Sequence, residues 1–157
     1  MVNKVCQYLI DNEITISSVE SLTGGLFAST ITEVSGISKV YKGTLVTYTN
    51  EIKEQVLGVK KETLDTYGAV SKECVKEMLQ QGSNIFVSDI VVAFSGNAGP
   101  LASEGKPVGL VYIGYMINGE IHVHEHNFSG TRDEIRKQCI LTVFASLYEL
   151  FLGKTEN

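Results

Sequence analysis

The spacing of apolar residues predicts helices that alternate with strands through the first half of the chain. Apolar side chains recur on one face of each predicted helix, whereas the predicted strands are short and rich in β-branched residues. The elements predicted here are a helix over 2–12, a strand over 14–19, a helix from Thr23, a strand over 43–49, and helices over 50–57, 61–66 and 71–83. Thr49 and Ser71 are the expected N-caps of the helices that follow them.

The second half of the chain predicts a buried strand, a hairpin and a long helix. Residues 89–96 form a continuous apolar run, which is typical of a strand covered on both faces. Asn118-Gly119 separates two strand-like segments and is a strong hairpin signal. Thr131 and Glu134 have the spacing of a capping box and predict a long amphipathic helix. The whole pattern predicts an α/β protein, a three-layer α/β/α sandwich with a mixed sheet of about five strands.

Length, charge and cysteine usage narrow the class of protein. The 157 residues fit a single domain over 1–157. The net charge of −5 offers no basic face, so we expect no nucleic-acid partner. Three widely spaced cysteines, Cys6, Cys74 and Cys139, favour reduced, partly buried thiols. The sequence has neither an apolar leader nor a membrane-length apolar run, so we expect a soluble cytoplasmic protein without a membrane partner.

A short turn after the first predicted strand carries candidate chemistry. It reads Glu20-Ser21-Leu22-Thr23 and continues into Gly24-Gly25. Free amides at the start of a helix bind anions or stabilise a developing oxyanion, and glycines let a ligand approach the backbone. Taken alone, the turn is better explained as a tight connection in which the hydroxyl of Ser21 or Thr23 caps the next helix.

Three other segments carry candidate groups that could meet this turn, because ligands bind beyond the carboxyl ends of strands in such sheets. Tyr48 ends a predicted strand, and Lys53 lies early in the following helix, where the dipole and burial would lower its pKa. Ser95 lies at the end of another predicted strand, and Arg132 and Arg136 open the last helix. Each has an ordinary alternative, namely an exposed lysine, a plain loop or a solvated helix face.

Three histidines alternate along one predicted strand. His122, His124 and His126 share a face, which raises the question of a zinc site. The outer pair would lie about 13 Å apart on an extended strand, too far for one ion. We therefore expect no metal site and interpret these residues as a polar outer face.

The candidate segments occur together in an order that resembles the CinA C-terminal domain family. The matching segments are Glu20-Ser21-x-Thr23-Gly24-Gly25, Gly43-x-x-Val46-Thr47-Tyr48-x-Asn50-Glu51-x-Lys53, Gly68-Ala69-Val70-Ser71, Ser95-Gly96-x-Ala98-Gly99-Pro100 and Lys106-Pro107-Val108-Gly109. The resemblance implies hydrolysis of the carboxamide of nicotinamide mononucleotide to the nicotinate nucleotide and ammonia. It also implies a three-layer α/β/α fold, no metal or cofactor, a small-molecule nucleotide substrate and a homo-oligomer. Related proteins often carry a larger N-terminal domain. The resemblance here covers only the C-terminal domain, so we expect the stand-alone form.

The resemblance also assigns roles to particular residues. Ser21 corresponds to the nucleophile, Lys53 to its base, Tyr48 to a tyrosine that assists the base, and Ser95 to a hydroxyl near the substrate. Amides over 23–25 would supply the oxyanion site. This agrees with the chemistry of amide hydrolysis, which needs an activated nucleophile and donors for a tetrahedral oxyanion.

The remaining assignments concern the substrate's surroundings. We expect the turn residues Glu20, Thr23, Gly24 and Gly25 to border the substrate. The basic helix residue near the nucleotide phosphate corresponds to Arg132 or Arg136, and the sequence leaves that choice open.

The chain departs from the family pattern at several positions. Leu22 stands where the family usually has cysteine, and Asn97 stands within the segment that usually reads Gly-Ile-Ala-Gly-Pro. The segment over 101–105 replaces a glycine-rich run and predicts a bulkier pocket rim that carries a carboxylate. These departures keep two alternatives open: a non-catalytic nucleotide-binding or interaction module of the same fold, and an amidase with a different substrate.

Overall fold

The protein forms six α-helices and five β-strands over Met1–Gly153, the residues that the computed structural model describes. The helices are α1 (Val2–Asp11), α2 (Leu26–Ile31), α3 (Asn50–Ile52), α4 (Lys61–Tyr67), α5 (Lys72–Phe86) and α6 (Arg132–Phe151). The strands are β1 (Ile16–Glu20), β2 (Tyr41–Val46), β3 (Ile90–Gly96), β4 (Leu110–Ile117) and β5 (Glu120–Asn127). A short 3-10 turn covers Ile37–Lys39, and a π-helical turn covers Lys53–Leu57.

The strands form one mixed five-stranded sheet in the order β2-β1-β3-β4-β5. Strands β2, β1 and β3 are parallel, whereas β4 and β5 are antiparallel additions at one side. The carboxyl ends of β1, β2 and β3 therefore meet at the same edge of the sheet. That edge is where the segments after Glu20, Val46 and Gly96 begin.

Helices cover both faces of the sheet and complete the predicted three layers. One core lies between the sheet and α1, α2 and α6, and the other lies between the sheet and α4, α5 and the π-helical turn. Gly82 allows α5 to approach the sheet closely, because a Cβ there would lie 2.7 Å from Cγ2 of Val19. A gap that small leaves no room for a side chain in a close-packed core.

The hairpin and the last helix confirm the two strongest local predictions. Asn118 and Gly119 both have positive φ, 51° and 86°, as a two-residue turn of this kind requires. The Thr131 side chain accepts from the Glu134 amide, and the Glu134 side chain accepts from the Thr131 amide. This is the capping box that the spacing predicts.

The prediction of a helix starting at Thr23 is wrong. The helix α2 begins only at Leu26, because Gly24 and Gly25 have φ of 54° and 97°, outside the right-handed helical region. The helix predicted over 50–57 is also irregular, since α3 is followed by the π-helical turn. Both differences lie at the edge of the sheet where the parallel strands end.

The three cysteines are buried and free. Burial raises the pKa of the Cys6 thiol to about 11 and those of Cys74 and Cys139 to about 12. They are therefore neutral thiols packed in the protein interior. Within Met1–Gly153, no helix has the length and apolar character needed to cross a membrane.

Candidate active site

A cavity of about 280 Å³ lies at the edge of the sheet where the parallel strands end. Five residues singled out from the sequence line it together: Ser21, Tyr48, Lys53, Ser95 and Arg132. They come from four separate parts of the chain, after β1, after β2, from the end of β3 and from the start of α6. The expected convergence of these segments on one pocket is therefore observed.

A buried lysine amine lies against the candidate nucleophile. Lys53 is 1 % exposed, and its Nζ lies 2.9 Å from Oγ of Ser21. The same Nζ donates to the carbonyl oxygens of Thr47 at 2.9 Å and Tyr48 at 3.0 Å. A neutral amine has two N–H groups and one lone pair. In the ammonium form Nζ donates to all three oxygens, whereas in the neutral form two N–H groups directed at the carbonyls leave the lone pair toward the serine hydroxyl.

Burial shifts the protonation equilibrium of Lys53 toward the neutral form. Desolvation by burial lowers the pKa of Lys53 below its ordinary value of 10.5, and weaker interactions with Cys74 and Glu104 oppose that shift. Within the described part of the chain, no carboxylate lies within ion-pair distance of its Nζ. An unpaired buried ammonium is costly, and the neutral amine that burial favours is the form that can accept a proton.

The local sequence explains how Lys53 reaches the cavity. Thr49 caps α3, since its side chain accepts from the Ile52 amide at 3.2 Å. The π-helical turn then begins at Lys53, whose carbonyl accepts from the Val59 amide at 2.9 Å. Single π-helical turns often occur at functional sites. Here the turn brings a lysine from the helix start into the interior, beneath the strand end that supplies two of its acceptors.

The amides at the start of α2 are taken by the protein itself. Glu20 is fully buried, and its carboxylate fills the position that a bound anion would occupy. The amides that donate to it belong to Gly25, Phe27 and Ala28, at 2.9, 3.3 and 3.1 Å. The Gly24 amide donates to the carbonyl of Ser21 at 3.0 Å. The expectation that amides over 24–25 are free for an oxyanion is therefore not met, and Glu20 does not line the cavity.

Arg136 holds the other side of this turn. Its Nε donates to the Leu22 carbonyl and its Nη2 to the Thr23 carbonyl, both at 3.0 Å. Arg136 and Thr23 do not line the cavity, and Thr23 is fully buried. Between Met1 and Gly153, the amides of Leu22 and Thr23 find no protein acceptor. Of these two residues, Leu22 lines the cavity beside Ser21 and Thr23 does not.

Of the two arginines that the sequence left as candidates, Arg132 lines the cavity and Arg136 does not. The Arg132 guanidinium donates to the Gly99 carbonyl and, at 3.0 Å, to the hydroxyl of Tyr48. Among the described residues no carboxylate pairs with it. Tyr48 is 56 % exposed, so its ring and Arg132 stand together at the cavity mouth. The mouth therefore carries a cation suited to an anionic ligand.

Ser95 and Asn97 also line the cavity. The Ser95 hydroxyl donates to the Ala69 carbonyl at 2.7 Å, which ties the end of β3 to the segment before α5. The Asn97 amide nitrogen donates to the carbonyls of Ser103 and Lys106, at 3.3 and 3.1 Å. Its oxygen accepts from the Ser103 hydroxyl at 2.5 Å. Asn97 thus organises the segment that departs from the family pattern.

The predicted rim carboxylate is Glu104, and it faces the backbone. It accepts from the amides of Ala69 and Val70 at 2.9 and 3.1 Å, and it pairs with Lys106 at 3.1 Å. The desolvation that would raise the pKa of Glu104 is outweighed by these hydrogen bonds, so its pKa lies below the ordinary value. The sequence predicted this carboxylate but gave no signal for its two backbone partners, which lie 34 and 35 residues away.

The fold and the cavity define a class: a three-layer α/β protein with a serine hydroxyl and a buried lysine amine at the carboxyl edge of its sheet. The model of the CinA C-terminal domain matches residues 1–151, and the chain belongs to that family. The resemblance noted from the sequence is thereby confirmed.

Individual relatives support the same assignment. A relative from Bacillus subtilis strain 168 is 53 % identical over 125 residues, covering 80 % of this chain and 30 % of its own. A CinA-like protein of Petrotoga mobilis is 47 % identical over 143 residues, covering 90 % and 36 %. This chain thus spans about a third of the length of these curated relatives. A crystal structure of a CinA superfamily protein from Klebsiella pneumoniae matches with a TM-score of 0.92 and 31 % identity, covering 96 % of this chain and 94 % of that one.

Proposed function

We propose that this protein is an amidohydrolase that converts nicotinamide mononucleotide to nicotinate mononucleotide and ammonia. The observation that carries the proposal is the 2.9 Å contact between Ser21 Oγ and the buried Nζ of Lys53. Family membership supplies the substrate class, and the unpaired guanidinium of Arg132 at the cavity mouth fits the phosphate of that substrate.

In the proposed reaction, Lys53 Nζ removes the proton of Ser21 as Oγ attacks the carboxamide carbon. The carbonyl oxygen becomes an oxyanion, and the amide of Leu22, a residue that lines the cavity, donates to it. The Lys53 ammonium then gives its proton to the leaving nitrogen, and ammonia departs from the acyl-enzyme. Water attacks the ester next, giving its proton to Lys53, and the acid leaves as Ser21 recovers its proton.

The carbonyls of Thr47 and Tyr48 have a specific part in this cycle. They accept from Nζ in both of its protonation states, so they hold the amine in place while its charge changes. The Tyr48 hydroxyl accepts from Arg132, so we assign the Tyr48 side chain to the substrate-binding mouth as well as to support of Lys53 through its backbone.

The test is ammonia release from nicotinamide mononucleotide by the purified protein. Ser21→Ala and Lys53→Met should each lower turnover by at least about a thousandfold, because removal of either half of a nucleophile–base pair removes its activation. Lys61→Met is the matched control, since Lys61 is an exposed lysine paired only with Asp65 on its own helix. It should leave turnover unchanged.

The remaining outcomes separate the alternatives. Turnover that survives both substitutions would reject the serine–lysine mechanism. Release of ammonia from nicotinamide riboside or a simple amide, but not from the mononucleotide, would favour an amidase with another substrate. A folded protein that binds the mononucleotide without turnover would favour the non-catalytic module.

A further inference from the structure

One arginine at the cavity mouth is held by two separate segments of the chain. The Arg132 guanidinium donates through Nη1 to the Gly99 carbonyl and through Nη2, at 3.0 Å, to the hydroxyl of Tyr48. These partners lie 33 and 84 residues from Arg132 in the chain, and all three residues line the cavity. The guanidinium is therefore tied to two segments that border the same opening.

The helix that carries Arg132 does not itself favour a cation at this position. Arg132 is the first residue of α6, where the positive pole of the helix dipole favours acidic side chains. Asp133 pairs with Lys137 at 2.9 Å, and Glu134 completes the capping box. Among the described residues no carboxylate pairs with Arg132. An anionic ligand at the mouth would therefore meet an uncompensated charge.

The two acceptors that hold the guanidinium are themselves fixed. Gly99 is buried, with a φ of 81°, and a Cβ there would lie 2.6 Å from Cγ1 of Val108. Its carbonyl therefore belongs to tightly packed backbone. The main chain of Tyr48 is also held, because its carbonyl accepts from Lys53 Nζ at 3.0 Å. The tyrosine ring carries the hydroxyl from this fixed backbone to Arg132.

Contacts on two different nitrogens fix the plane of the guanidinium as well as its place. A guanidinium presents its N–H donors in a rigid planar fork, which matches the oxygens of a phosphate. Within Met1–Gly153, the remaining N–H groups of Arg132 have no acceptor. They are available for two oxygens of one phosphate group, the bidentate geometry in which arginine is the preferred residue.

We propose that the Tyr48 hydroxyl is a positioning group for phosphate recognition: it orients the Arg132 guanidinium and takes no part in activating Ser21. The contacts divide the roles of this residue, because Lys53 Nζ donates to the main-chain carbonyl of Tyr48 and Arg132 donates to its hydroxyl. The hydroxyl acts through the arginine and need not touch the substrate. The proposal rests on the proposed function only in taking a nucleotide phosphate as the ligand.

Turnover separates this role from one in catalysis. Tyr48→Phe keeps the ring and the main-chain carbonyl and removes only the hydroxyl. It should raise KM for nicotinamide mononucleotide by about fivefold, as for the loss of one hydrogen bond, and change kcat by less than about twofold. In the Arg132→Met background, Tyr48→Phe should have no further effect on KM, because the group that the hydroxyl positions is absent.

Tyr67→Phe is the matched control. Tyr67 is 49 % exposed, close to the 56 % of Tyr48, and it does not line the cavity. Its substitution should leave both KM and kcat unchanged. Far-ultraviolet circular dichroism of each variant reports whether the fold is intact.

Binding measured without turnover is the second readout. Isothermal titration calorimetry compares nicotinate mononucleotide with nicotinate riboside, which lacks the phosphate. Wild type should bind the mononucleotide more tightly than the riboside. Tyr48→Phe should weaken binding of the mononucleotide by about fivefold, as for the loss of one hydrogen bond, without weakening that of the riboside.

The outcomes are distinguishable. A folded Tyr48→Phe that binds the mononucleotide as tightly as wild type overturns the inference. So does a loss confined to kcat, a loss equal for mononucleotide and riboside, or a loss that persists in full in the Arg132→Met background. Mononucleotide binding that depends on both the hydroxyl and the arginine, without ammonia release from any amide, leaves the inference standing and rejects the proposed function. A wild-type protein that neither binds nor hydrolyses a mononucleotide overturns both.

Discussion

Replacing Glu20 by glutamine should destabilise the protein strongly although the two side chains have the same size and shape. The fully buried carboxylate accepts hydrogen bonds from three main-chain amides. A glutamine has one oxygen, so one amide loses its acceptor and faces an NH₂ group, at a cost of about 1–3 kcal/mol. The two hydrogen bonds that remain lose their charge assistance, at roughly 1 kcal/mol each.

The expected loss in the free energy of unfolding is therefore about 3–5 kcal/mol. For a chain of this size, each kcal/mol lowers the melting temperature by about 2–4 °C, so the melting temperature of Glu20→Gln should fall by roughly 6–20 °C. Urea unfolding followed by circular dichroism measures the first quantity, and differential scanning calorimetry measures the second.

The control is Glu33→Gln, an exposed glutamate just beyond the other end of α2. It should unfold within about 0.5 kcal/mol of wild type. If Glu20→Gln also stays within that margin, the three hydrogen bonds do not hold the turn and the reasoning fails.

Three further results are expected. The pH at which kcat/KM rises on its acidic limb should lie below 10.5, because burial lowers the pKa of Lys53 and the neutral amine accumulates as the pH rises through that pKa. An acidic limb at or above pH 10.5 contradicts the role of Lys53 as the base. Gly82→Ala should cost about 1–3 kcal/mol in urea unfolding, since the added methyl group would press on Val19, whereas exposed Gln80→Ala should be nearly neutral. Arg132→Met should raise KM for the mononucleotide by about tenfold or more with a smaller change in kcat, and an unchanged KM would remove the arginine from phosphate binding.

The elements that the sequence predicted best are those specified by neighbours in the chain. Asn118-Gly119 needs only its own backbone angles to form the hairpin turn, and Thr131 and Glu134 satisfy each other's amides within one helical turn. The continuous apolar run of β3 similarly required no knowledge of its partners. Such features follow from local backbone geometry, so they can be predicted without knowledge of the tertiary structure.

The sequence predicted several of the residues that line the cavity, but it did not predict the contacts that these residues make. Ser21, Lys53 and Ser95 became candidates because strand ends converge in this type of sheet, and the resemblance to the CinA family gave them their expected roles. The different roles of Arg132 and Arg136 depend on which side of α6 meets the turn after β1, more than a hundred residues away. The late start of α2 had a local signal in its glycine pair, but the apolar spacing overrode it.

The way the cavity rim is held has a consequence for the evolution of this protein. Two anchors hold the 101–106 segment: Asn97 bonds to Ser103, and Glu104 bonds to the backbone amides of residues 69–70. Leu101 lies between these anchors in the sequence, is 85 % exposed and lines the cavity opening. The fastening does not use the Leu101 side chain. We therefore expect residue 101 to be a site at which genetic drift or laboratory selection can change the cavity opening while foldability is preserved.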